Sequence, residues 1–126
     1  MAIFTKKKRE QIMAEERARL APIEQRFLNQ SDLLVVRSLL DDMAFCFVQM
    51  EEAKHTIYTH GITETYQNGA NQKGQKKSSA VETYDKCVNN RLKLIKQIVD
   101  LLPPPALNPQ SGEKTPEAEL MEFINA

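Results

Sequence analysis

SDLLVVRSLLDDMAFCFVQMEEAKHTIYTHG, residues 31–61, carries the strongest periodic signal in the chain. Val36, Leu40, Met43, Phe47, Met50 and Ile57 follow one another at steps of 4, 3, 4, 3 and 7, with Lys54 in the vacant slot. That alternation keeps one seam on one side of a helix. Leu39, Cys46 and Ala53 add a second stripe at steps of seven. The apolar face is therefore wider than a two-stranded coiled coil uses, and the helix needs two partners. Ser31 or Asp32 can cap its start, and Gly61 can stop it after Tyr58 or Thr59.

A matching helix lies downstream. Val81, Val88, Ile95 and Leu102 recur every seven residues, and Leu92 and Val99 run beside them behind Asp85. Leu94, Ile98 and Leu101 widen the face. Ser79-x-x-Glu82 fits a capping box at the start, and Pro103-Pro104-Pro105 halts the helix. The two helices read as a long antiparallel hairpin joined by a connector over residues 61–78. Such a connector is longer than a helix pair requires. Ile62–Gly69 (ITETYQNG) alternates and ends in Asn-Gly, a hairpin-turn signal, so a small β-excursion fits there. Lys73, Lys76 and Lys77 set cations beside the start of the third helix, against its dipole, which a bound phosphate would relieve.

Upstream, residues 1–30 form a basic helical segment with Pro22 as a break. Its apolar residues are few, and alone it would be marginal in water. Downstream, residues 105–126 form a proline-rich, extended linker followed by TPEAELMEFINA. Thr115-Pro116-Glu117 is a good helix start. Leu120, Met121, Phe123 and Ile124 then form a short acidic-amphipathic segment, read as tethered outside the core and suited to a partner groove.

Two helices bury too little to stand alone, so the core at 31–104 reads as self-associating. Val36, Leu40, Met43, Phe47, Met50, Ile57, Val88, Leu92, Ile95 and Val99 are the expected oligomer interface. The other arrangement folds the first helix back into a monomeric three-helix bundle. The fold class is thus all-α: a long helical hairpin forming an oligomeric ring or bundle core, with a basic N-terminal helix and a short C-terminal helix on a Pro-rich linker.

The formal net charge is zero but segregated. Residues 1–30 carry seven bases and four acids, and residues 73–96 seven bases and two acids. Residues 31–56 and 100–126 each carry five acids, against two bases and one. This reads as a polyanion-facing part and an acidic part for another partner. Lys6, Lys7, Lys8, Arg9, Arg17 and Arg19, with Lys73, Lys76 and Lys77, are the candidate DNA-binding residues. Gly69-ANQK-Gly74 approaches a phosphate loop, but Gln75 and Lys76 separate it from Lys77-Ser78, and no buried strand precedes it. His55 and His60 point apart on a helix, no zinc set exists, and no cofactor is expected. Asp41-Asp42 and Glu51-Glu52 read as outer-face charges. Cys46 and Cys87 read as buried free thiols, with a bridge between them as the other option. No signal peptide or membrane-length apolar run is present, so the chain reads as soluble and intracellular.

Lys77-Ser78-Ser79-Ala80 at the head of the third helix and Asp100-Leu101-Leu102-Pro103 at its end resemble small terminase subunits of tailed bacteriophages, the P27-like group in particular. The resemblance spans about residues 31–104. Ser79 stands where that group has proline, and its basic tail after the end motif is missing. The resemblance implies a ring-forming, non-enzymatic DNA-packaging component in the cytoplasm of an infected bacterial host. Its partners would be copies of itself, double-stranded viral DNA and the large terminase subunit, and no membrane.

Overall fold

The computed structural model describes residues 4–67, 73–103 and 115–126. It is mostly helical, with one small two-stranded sheet. Helix α1 spans Lys6–Leu20 and is capped by the Thr5 hydroxyl, which accepts from the Lys8 amide at 3.1 Å. Pro22 then sits at the head of a 3₁₀ turn, Ala21–Arg26, so the break falls just before it. Helix α2 spans Gln30–His60, one turn fuller than the hydrophobic pattern indicates. Asn29 supplies the cap in place of Ser31 or Asp32, accepting from the amides of both at 2.8 and 3.3 Å.

Gly61 ends α2 with φ 84° and ψ −175°, a region open essentially to glycine alone. The chain leaves it as strand β1, Thr63–Gln67, which pairs antiparallel with β2, Lys73–Lys77. The register runs from Thr63 opposite Lys77 to Gln67 opposite Lys73. The expected Asn68-Gly69 turn lies outside the described residues. The Ser78 amide donates to the Ile62 carbonyl at 2.9 Å and closes the ribbon's base. Helix α3, Ser79–Leu101, starts one residue earlier than a Ser79 capping box would set it. Ser78 is the cap, at 3.1 Å from the Val81 amide, while the Ser79 hydroxyl donates to Glu64 at 3.1 Å. The proline-rich linker, from residue 104 to 114, also lies outside the described residues. Helix α4, Pro116–Asn125, follows with Thr115 as its cap.

Two expectations are corrected here. The α2 seam is the chain's own core. Val36, Leu40 and Met43 are fully buried, Met50 and Ile95 nearly so, and Phe47, Ile57, Val88 and Val99 are half-buried. Of the ten expected interface residues only Leu92 is exposed. The cover comes from the chain itself: Leu20, Ile23 and Phe27 on one side and Ile95 and Ile98 on the other. The C-terminal segment is the second correction. Leu120 and Ile124 are buried in that same core, and Met121 and Phe123 pack against it. An amphipathic helix gains from burying its apolar stripe wherever a groove is offered, and the base of the bundle offers one. The two buried side chains contribute about 3–5 kcal/mol.

Leu120→Ala is expected to lower the unfolding free energy by about 2–4 kcal/mol, measured by urea denaturation. A loss well below that would detach α4 from the cooperative core. Gly61→Ala meets no atom within 4 Å of the added carbon. Its expected cost, about 1–3 kcal/mol, is therefore backbone strain alone.

Candidate nucleic-acid interface

Helix α1 runs antiparallel along α2. The Phe4 ring lies 5.7 Å from the His55 ring, and Arg9 grips Glu52 with two bonds of 2.7 and 2.6 Å. This direction carries the first turn of α1 to the end of the bundle where α2 gives way to the ribbon. Two lysine sets far apart in sequence therefore share one end. Lys6 and Lys7 are exposed there, and Lys6 lies 3.7 Å from Glu10. The Lys8 ammonium stands 4.7 Å over the Phe4 ring, a cation–π placement that leaves its charge at the surface. On the ribbon, Lys76 lies 3.4 Å from Glu64 and Lys77 lies 2.9 Å from Asp85. Lys73 is in β2 opposite Gln67, and its side chain lies outside the described part.

The arginines expected at this interface have other work. Arg9 holds α1 to α2. Arg17 donates to Asp41 at 2.6 Å and to Glu24 at 3.1 Å, tying α1 to α2 and to the 3₁₀ turn. Arg19 donates twice to the buried Glu16, at 2.6 and 2.9 Å, and reaches the carbonyls of Phe123 and Ile124 at 3.3 and 3.1 Å. It thereby fastens the end of α4, where carbonyls lack helical partners. Arg26 adds a 2.9 Å pair with Glu119. Planar guanidinium groups suit such two-pronged pairing with carboxylates, and lysines do not. Hydrogen bonding to Glu52 raises the pKa of Arg9, and Glu16 does the same for Arg19. For Arg17, partial burial opposes the charge, but bonds to Asp41 and Glu24 outweigh it.

A cleft of about 550 Å³ opens at the ribbon's base, with Glu52, His60, Glu64, Ser78 and Ser79 among its walls. Glu64 is held below the ordinary carboxylate range by the Ser79 hydroxyl and, less strongly, by Lys76. Gly74–Lys77 are extended and paired with β1, so their amides do not wrap a phosphate as a nucleotide loop would. Cys46 and Cys87 are free and buried, and burial pushes both thiols up, away from the reactive thiolate. Asp41, Glu51 and Glu52 pair within the chain, with Arg17, Lys54 and Arg9. Among the described residues no group of three or more His, Cys, Asp or Glu is placed to hold a metal, and no helix is long and apolar enough to cross a membrane.

Lys86, Lys93 and Lys96 stand exposed on α3, outside the expected set. The signal for them is an acid-free run from 86 to 97. The apolar seam threaded through the same residues masks it.

The carboxylate of Glu24 has a distinct pH signature. Its pKa is lowered, first by the Arg37 hydrogen bond at 2.6 Å, against partial burial, and then by Arg17. A depressed carboxylate contributes stability that is complete above the ordinary value of about 4.3 and is lost as pH falls through the lower folded value. As pH falls from the ordinary value to the lower folded one, the melting temperature should therefore drop less steeply for Glu24→Gln than for the wild type, and parallel curves over that window would remove Glu24 from the account. No family profile matches the chain, and comparison with curated proteins and with solved structures likewise gives no significant match.

Proposed function

We propose that the chain is a non-enzymatic, DNA-binding component of a phage DNA-packaging machine, of the small-terminase kind. It binds double-stranded viral DNA in the host cytoplasm and delivers it to a large subunit that carries the ATPase and nuclease. One observation supports this above others: the Lys6–Lys8 cluster and the ribbon lysines meet at one end of the bundle. A projecting antiparallel ribbon flanked by exposed lysines is a shape that fits a duplex groove and its phosphates. The Lys77–Ala80 and Asp100–Pro103 motifs stand at the two ends of α3. One chain offers few phosphate contacts, and a closed homo-oligomer would multiply them through effective concentration. Self-association in this reading uses the outer surface, because the α2 seam is internal.

A second reading, a helical protein–protein adaptor with no nucleic-acid role, draws on the pairing of Lys76, Lys77 and the arginines with carboxylates.

Fluorescence anisotropy with a short duplex separates the two. Four phosphate contacts predict an affinity that falls about 10²-fold between 50 and 200 mM salt. Lys6→Glu/Lys7→Glu/Lys8→Glu should reduce it further at every salt concentration. Absence of binding at low salt would favour the adaptor. Native mass spectrometry should give a single closed oligomer, and a monomer at all concentrations would end the ring proposal.

A further inference from the structure

We infer that the outer face of α3 is a DNA-reading surface, which lies in the major groove and supplies base contacts. It rests on the DNA-binding reading above. Residues 86–97, KCVNNRLKLIKQ, hold four bases and no acid. The helix sorts them by side. Cys87 and Ile95 are buried, and Val88, Arg91 and Leu94 are half-buried, so Arg91 belongs to the inner side. Lys86, Asn89, Asn90, Lys93, Lys96 and Gln97 are exposed. At 3.6 residues per turn these six fall within an arc of roughly 120°. Lys86 and Lys96 stand about 15 Å apart along the axis.

None of the six side chains has an ion pair or side-chain hydrogen bond to another described residue. Arg9, Arg17, Arg19, Lys76 and Lys77 are all paired. The α1 arginines and the ribbon's Lys76 and Lys77 are thus matched by carboxylates, while the three lysines in the middle of α3 are not. Glu82 and Asp100 lie on the same side at the two ends, which confines the positive stretch to the middle turns. Charge complementarity commits the face to a polyanion. The amides narrow it further. Lysine meets phosphate or guanine, and Asn and Gln can bond both edge groups of adenine in the major groove, which admits one α-helix. An anionic membrane or an acidic peptide needs the lysines alone and gives three interleaved amides nothing to read.

The test uses the full chain and a short mixed-sequence duplex, followed by anisotropy over a salt series. Lys86→Gln/Lys93→Gln/Lys96→Gln is compared with Lys6→Gln/Lys7→Gln/Lys8→Gln, with circular dichroism to confirm that both fold. The α3 variant is expected to bind about 10–100-fold more weakly at low salt, with a log–log salt slope flatter by about two to three. An unchanged α3 variant beside a weakened N-terminal one overturns this inference and leaves the DNA-binding reading standing. A wild type that does not bind overturns both. Base reading is tested by selection from a randomised duplex pool. The wild type should enrich a sequence that Asn89→Ala/Asn90→Ala/Gln97→Ala fails to enrich. No enrichment by the wild type, or the same enrichment by both, overturns the base-reading part.

Discussion

The apolar residues of α2 spread over more than half of its circumference, and no single neighbouring helix can cover that much surface. The rest of the architecture answers this constraint. Helix α3 takes one flank, α1 and the 3₁₀ turn take the other, and α4 adds Leu120 and Ile124 to the same core. The division of labour is chemical as well as geometric. Helix α3 arrives with an apolar stripe of its own. Helix α1 buries few apolar side chains and is held by arginine–carboxylate pairs to Glu52, Asp41 and Glu24.

That difference explains which parts of the fold are legible in the residues. The heptad steps locate α2 and α3, and Gly61, Pro103 and Thr115-Pro116 mark their bounds and the start of α4, because periodicity and capping are local properties. The partner that covers the seam is not local. Counting apolar residues in the first helix undervalues it, since an arginine gives no hint of which carboxylate it will meet 43 positions away in sequence. The displaced caps are a milder case. Asn29, Ser31 and Asp32 are all competent, and only the packed start of α2 selects among them. Helix α4 shows the limit plainly: Leu120 and Ile124 are spaced to enter a groove, and the spacing is the same whether that groove is foreign or the chain's own. At the candidate interface, a distinction between lysine and arginine would have been more informative than their summed charge. The paired bases of α1 are mostly arginines, while Lys7, Lys86, Lys93 and Lys96 remain without carboxylate partners among the described residues.

A formal charge of zero describes this molecule poorly. Folding gathers Lys6, Lys7, Lys8, Lys76 and Lys77 at the ribbon end and leaves Glu117, Glu119 and Asp100 toward the opposite end. Such a molecule carries a dipole along the bundle. A polyanion approaching such a molecule would orient it before contact.

The base of the bundle is a binding groove that is already occupied. Helix α4 belongs to the same chain as its groove, so a rival helix from elsewhere competes with a tethered ligand whose effective concentration is of the order of millimolar. Micromolar rivals of equal intrinsic affinity would be excluded about a thousandfold. Arg19 tightens that exclusion by holding the Phe123 and Ile124 carbonyls, so its loss would relax the groove's discrimination while leaving every apolar wall in place.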